Sequence, residues 1–349
     1  MVKKIDSITT SGRNLELDAL RGIAALMVMF FHFSMNRPEC QMGLKFGVAG
    51  VNLFFMISGF VIFKSIENLN KSSDFLMNRF GRLFPIYWTA VSFTFVLILL
   101  FPFFRTDPVF DAKITDYIGN MSMIQYYLKI QNFDGSYWSM IVELNFYLFI
   151  FIFIALKKTK YILDIGVPIA IILTFAFLFK NDYRPLDHVF FYLPITEYFP
   201  LFLSGIIFYK ISSSENKGKN YMYLGILLFL QILLLDVHYS DNLSFLTLNE
   251  HIFMFLLFNL IFILFIHNKL KFIVNKISLF FGKISFSLYL IHQFFAFYFI
   301  IPYTVDTLHI NFWIASIFIA FPIITLLSAV MTFYIEIPLS RRIKRKRIS

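Results

Sequence analysis

Residues 312–335 read FWIASIFIAFPIITLLSAVMTFYI, 24 consecutive residues without one charged side chain. At 1.5 Å of rise per residue a helix of that length crosses the ~30 Å hydrocarbon core of a bilayer. The segment is a membrane span, and its neighbours have to be read with lipid as their solvent. Toward the N-terminus, apolar runs of spanning length recur at 284–303, 250–267, 221–238, 194–211, 161–179, 137–156, 83–101, 46–63 and 17–36. The reading is an all-α polytopic membrane protein of about ten helices. It forms a single domain over 1–349, with no internal repeat and no appended soluble domain expected.

The composition points the same way. Hydrophobic residues make up 58% and charged residues 15%, against roughly 45–50% and about 25% in soluble chains. Forty-nine Phe and 18 Tyr carry more ring surface than a soluble core of this size can cover. The charge of +10 is not a nucleic-acid signal, because the basic residues fall in short clusters between apolar runs. With the N-terminus inside, 24 of the 31 Lys and Arg residues lie on the inner side and 7 on the outer. A miscounted helix would scramble the later loops, so ten spans with both termini in the cytoplasm is the topology that fits. The first span carries Asp18, Arg21 and His32, which makes it a retained helix and not a cleaved signal peptide. The single cysteine, Cys40, leaves no intrachain disulfide, and with no HExxH pattern no metal is expected. Two connections are longer than linking requires. One is 64–82 inside. The other is 102–136 outside, whose amphipathic part 112–130 is expected to lie in the interface or dip back.

Ionisable groups inside a span cost at least a few kcal/mol each and are functional candidates by default. Arg21 and His32 are 11 residues apart, about 1100° of helical rotation, so they share a face roughly 16 Å apart along the axis. Snorkelling of Arg21 and simple packing of His32 is the competing account. Glu143 in SYWSMIVELNFYL comes about 9 Å below the outer boundary and His32 about 6–8 Å below it. Matched depth suggests an acid–histidine pair in which the carboxylate fixes the imidazole for general-base work; a structural polar clamp is the alternative. Arg79 and Arg82 in RFGRLFPIYW sit three apart at the inner side, either a phosphate fork or ordinary topological anchoring. Gly50, Ser58 and Gly59 in GVNLFFMISGF permit close helix contact or passage of a thin ligand. His292 lies in ISFSLYLIHQFF, about 12 Å inside its span from the cytoplasmic side, and Glu336 in YIEIP is read as a partner of the basic tail.

Six motifs, LDALRGIAALMVMFFHF, GVNLFFMISGF, RFGRLFPIYW, YWSMIVELNFYL, ISFSLYLIH and IEIP, run in this order from residue 17 to 338. Together they resemble the acyltransferase-3 family, integral membrane O-acyltransferases of bacterial envelopes. The resemblance implies transfer of an acyl group, commonly acetyl, from cytoplasmic acyl-CoA as co-substrate to a hydroxyl of an extracytoplasmic or lipid-linked glycan, such as O-antigen or exopolysaccharide. It implies catalysis by His32 with Arg21 as its partner on the first helix, and a donor held by Arg79 and Arg82. Beside it, Glu143 is expected to assist His32 as a catalytic residue, and Arg21, Ser58 and Gly59 to complete the donor site, with the thin arm of the donor passing Gly59. Trp138, Ser139 and His292 are placed as substrate or structural support. The expected setting is the bacterial inner membrane. Lipids and the glycan acceptor are the expected partners, and the assembly is either a homo-oligomer or a polysaccharide-assembly complex. The alternative function is a transporter or flippase of an envelope glycan or small solute, using the same buried charges as relays.

Overall fold

The computed structural model describes residues 14–67, 69, 71–100, 113–213, 217–240 and 245–345. Among these the chain is helical throughout. The membrane helices are α1 (Leu15–Ser34), α2 (Leu44–Ile66), α3 (Ser72–Leu100), α5 (Gly135–Ala155), α6 (Thr159–Leu178), α9 (Lys217–Ser240), α10 (Leu248–Ile266), α11 (Lys276–Thr307) and α12 (Phe312–Arg342). Two short helices lie in outer connections, α4 (Ile114–Met121) and α7 (Arg184–Tyr192). The tenth apolar helix, α8 (Phe199–Ser212), has only 14 residues, about 21 Å at 1.5 Å each. It is buried on nearly every face, so its neighbours, not lipid, satisfy its surroundings. Turns over 193–198 and Pro200 in the first helical turn set its late start, because proline fits the position whose N–H has no partner.

The expected spans hold, with shifted ends. Helix α3 begins at Ser72, well before residue 83, because DFLMNRFGR continues the helical pattern; Arg79 and Arg82 are thus inside a helix and not at its entry. The described part of the outer connection starts with α4 and continues through turns to α5. It folds over α3, with the Trp88 indole N–H donating to the Met121 carbonyl at 2.9 Å and Gln125 donating to the Tyr87 hydroxyl at 3.1 Å. Residues 101–112 of that connection lie outside the described residues.

Two helix crossings organise the bundle, and glycines make both. Gly22 of α1 meets Gly282 of α11 so closely that a Cβ on Gly282 would come 2.0 Å from the Asp18 carbonyl oxygen. Gly59 of α2 meets α8 in the same way, where a Cβ would stand 2.0 Å from the Phe202 carbonyl oxygen, and Gly205 returns the contact against Met56. Small residues at such crossings allow backbone approach that lipid-facing apolarity alone does not drive. Helices α11 and α12 also contain π-helical segments at Phe295–Ile300, Pro302–Thr307, Ala315–Ala320 and Met331–Glu336. These insertions re-aim side chains and free backbone groups for outside partners.

Candidate active site

The α1–α11 crossing decides the neighbourhood of His32. Its Nδ1 lies 2.8 Å from Nε2 of His292. The second nitrogen of His292, Nδ1, faces the carbonyls of Tyr289 at 2.8 Å and Leu288 at 3.1 Å. A carbonyl only accepts, so His292 carries its proton on Nδ1 and its Nε2 accepts from His32. The Val28 carbonyl also acts on the His32 ring, consistent with a proton on His32 Nδ1. The tautomers are thereby assigned, and Nε2 of His32 is left with its lone pair. His292 is fully buried, whereas His32 retains partial exposure.

Glu143 is not the partner of His32. Its carboxylate accepts from the Tyr147 hydroxyl and, at 3.5 Å, from Ser58. The depths explain the difference. Helix α1 ends at Ser34, putting His32 only about 3 Å from the outer end, while Glu143 is eight residues, roughly 12 Å, below the start of α5. His292 belongs at the depth of His32 because α11 begins at Lys276 and not at 284; it lies about 24 Å along its helix, and His32 about 25 Å along α1.

Glu143 instead faces a cavity of about 50 Å³ together with Arg21, Ser58, Arg82, Ser139, Ser285 and Tyr289. Among the described residues neither Arg21 nor Arg82 donates a hydrogen bond to a protein atom. Arg21 interacts at longer range with Arg82, Asp18, Glu143 and Glu336, and Arg82 with Glu336. Arg79 is held beside this chamber, donating to Ser65 at 3.0 Å, with its guanidinium over the rings of Phe75 and Tyr147 at 5.5 and 5.7 Å. Its Nε is buried without a partner among the described residues. Gly59 does not face the chamber; it is spent on the α8 crossing. Glu336 turns inward to Ser287 at 3.3 Å, in a cluster where Ser287 and Thr332 share a 2.6 Å bond; the side chains of the basic tail from residue 343 on lie outside the described residues. The π segment around Met331–Glu336 gives it that direction.

Tyr289 links the two halves of the site. It lines the chamber, its ring centroid is 5.8 Å from that of His292, and its hydroxyl donates to Ser139 at 2.9 Å. A second cavity, about 100 Å³, opens among the outer helix ends. It shares Val51 with the first and is lined by Asn52, Trp138, Glu197, Tyr198, Gln231 and His251. Trp138 and Tyr198 pack there with ring centroids 5.2 Å apart. Gln231 is buried; its amide nitrogen donates to the Glu197 carbonyl at 3.2 Å while its Oε1 has no partner among the described residues.

Asp134 escaped the sequence reading. It is fully buried just outside α5, where Oδ1 accepts from Ser136 N–H and Oδ2 from Phe294 N–H, both at 2.8 Å. The second bond fixes α11 two residues past His292, where the π segment begins. Burial pushes the Asp134 carboxyl up to about 6, and the two N–H donors oppose that shift. The FDGSYW stretch holds the signal that could have found it, an Asp in cap position before a helix. Tyr147 follows Glu143 by four residues, a spacing that puts both on one helical face. Tyr289 carried no signal of its own.

A family model described as an acyltransferase domain matches residues 14–335. The chain belongs to the acyltransferase-3 family. Among curated proteins, this acyltransferase-family chain is similar to acyltransferase MdmB of Streptomyces mycarofaciens, 27% identical over 144 residues covering 38% of this chain and 37% of that one. It is also similar to nodulation protein 10 of Rhizobium leguminosarum bv. viciae, 26% identical over 160 residues, 40% of this chain and 44% of the relative. The alignments thus span less than half the length of these relatives. No solved structure matches the chain.

Proposed function

We propose that the protein is an O-acyltransferase of the bacterial inner membrane. It moves an acyl group, acetyl in the first instance, from cytoplasmic acyl-CoA to a hydroxyl of an extracytoplasmic or lipid-linked glycan such as O-antigen or exopolysaccharide. One observation carries the reading: among the described residues a buried chamber holds two guanidiniums that donate no hydrogen bond to protein, shares Val51 with an outward chamber, and is lined by Tyr289, whose ring lies 5.8 Å from that of His292, the partner of a histidine with an open Nε2. The inner chamber suits the thioester end of the donor, and its small volume favours a two-carbon acyl group over a fatty chain. The outer chamber, with aromatic faces beside amide and carboxylate groups, suits a polyhydroxylated acceptor.

In this reaction His32 Nε2 takes the proton of the acceptor hydroxyl as its oxygen attacks the thioester carbonyl carbon. The C–S bond breaks, the ester remains on the acceptor, and coenzyme A leaves as a thiolate that recovers the proton from His32. Acyl transfer through an acyl-histidine uses the same nitrogen as nucleophile. The test is acetyl-CoA turnover by detergent-purified protein, wild type beside His32→Ala. Thioester cleavage that disappears in the variant supports the enzyme; wild-type protein that neither binds nor cleaves acetyl-CoA refutes it and leaves a transporter as the better account.

A further inference from the structure

The inner face carries a larger cavity that the site above does not use. It holds about 780 Å³ and is built by five elements that converge there: Phe63, Ile66 and Glu67 at the end of α2, Lys71 and Ser72 leading into α3, Ile154 and Lys157 at the end of α5, Thr159 and Lys160 opening α6, and Tyr209 and Lys210 near the end of α8. Among the described residues four lysines line it against one carboxylate, and Glu67 is already engaged by the Tyr209 hydroxyl. Among the described residues none of the four forms an ion pair. Elsewhere on this face Lys219 is neutralised by Asp164 at 2.6 Å.

Topological anchoring alone does not account for the arrangement. Anchoring lysines reach outward to lipid headgroups from the perimeter of a bundle, whereas these come from separate elements onto one concave surface. The Lys210 ammonium lies over the Phe63 ring at 5.5 Å and near the Lys160 carbonyl at 3.5 Å, so it is drawn in over the floor. Lys157 occupies a left-handed position, φ +55°, in the turn that closes α5, with the next N–H bonding back to Phe153 at 2.8 Å. Glycine suits such a position better than any side chain, so the ammonium there is kept at a conformational cost.

We propose that this cavity binds the phosphorylated adenosine end of coenzyme A, with the lysines on the 3′-phosphate and the diphosphate and Phe63, Ile66 and Ile154 against the purine. The proposal rests on acyl-CoA being the donor. The volume fits a nucleotide-sized ligand, and lysines serve phosphates as compact, adjustable charges. The span to the inner chamber also fits. Ser58 to Ile66 along α2 is about 12 Å, and Glu143 to Ile154 along α5 about 16 Å. The extended pantetheine arm, which separates the diphosphate from the thioester, is the part of the donor that bridges such a gap. Arg79 and Ser65 lie along that path.

Isothermal titration of the detergent-solubilised full chain with coenzyme A, 3′-dephospho-coenzyme A and pantetheine tests the assignment. Lys157→Gly is the informative first variant because it relieves the positive φ and cannot fail by straining the fold; Lys157→Gly/Lys160→Gln deepens the effect. Lys276→Gln, on the same face but outside the cavity, is the control. Wild type is expected to prefer coenzyme A over pantetheine, with the preference falling as salt rises. The double variant is expected to lose about tenfold or more in coenzyme A affinity, the scale of a lost charge-assisted contact, with the control unchanged. Variants that keep the wild-type preference overturn the pocket assignment while leaving the donor reading intact. Wild type that ignores coenzyme A but binds an acidic carrier protein bearing the acyl-pantetheine arm overturns both.

Discussion

His292 is the residue whose removal most sharply tests how the site works. It contributes no charge and touches no chamber; its Nε2 accepts from His32 Nδ1 at 2.8 Å, which keeps Nε2 of His32 as the open lone pair. In His292→Leu the bulk is roughly preserved, but the acceptor is gone. The Val28 carbonyl remains to the His32 ring, so the imidazole is loosened, not released. Losing one partner of a buried hydrogen bond costs about 1–3 kcal/mol, and carried into the transition state this is about a 5- to 150-fold loss in rate. His292→Gln returns an acceptor oxygen and should recover much of the loss, whereas His32→Ala should abolish turnover. The assay is acetyl-CoA cleavage by purified protein, with thermal unfolding as the check on folding. Leu and Gln variants that both work at the wild-type rate, while His32→Ala is silent, would refute the view that His292 sets the tautomer and orientation of His32.

Two further outcomes follow from the packing. Asp134→Asn keeps one acceptor oxygen for two N–H donors and should lower thermal stability by about 1–3 kcal/mol. In the wild type the raised carboxyl, at about 6, makes the protonated form the favoured one inside the fold. Stability should therefore be highest below pH ~4 and fall by roughly 3 kcal/mol by pH ~6, a window that Asp134→Asn flattens, read from unfolding midpoints across that range. Gly59→Ala places a methyl 2.0 Å from the Phe202 carbonyl oxygen, a clash with backbone that forces α2 from α8. It should destabilise by about 1–3 kcal/mol or more and show as poor monodispersity on size exclusion, whereas Gly225→Ala, with open space around it, should behave as wild type.

The spans were legible because lipid imposes a one-dimensional rule, continuous apolarity over a fixed length, and loop charge checks the count independently. The Arg21–His32 pair was legible in part: helical period puts both on one face, but says nothing of what that face meets. Depth alone suggested Glu143 for His32, and depth depends on helix ends, the least certain feature of a sequence reading. Eight residues added to the start of α11 bring His292 level with His32. Which helices cross is fixed at Gly22–Gly282 and Gly59–Gly205, where one glycine is indistinguishable in sequence from the packing glycines of any membrane helix. Asp134 and Glu336 reach the site through a cap and a π insertion, neither of which follows from hydrophobic period.

The charge balance of the inner chamber leads to one more test. Arg21, Arg79 and Arg82 are set against Asp18, Glu143 and Glu336, so their charge is balanced at longer range, yet among the described residues Arg21 and Arg82 donate no hydrogen bond to a protein atom. Guanidiniums with unused donors can hydrogen-bond an anion that enters the chamber. If the donor phosphates rest in the lysine-lined cavity some 12–16 Å away along the helices, the anion left for the chamber is the oxygen that gathers charge when the acceptor adds to the thioester, together with the departing thiolate. Preorganised donors aimed at developing charge are worth about 10²–10³ in rate when one is removed. Arg82→Gln should then lower kcat by that order while leaving coenzyme A affinity nearly unchanged, and Arg82→Lys should keep part of the activity. The opposite split, with weakened coenzyme A binding and an unaltered kcat, would move the phosphates into the chamber and the arginines from the reaction to the donor.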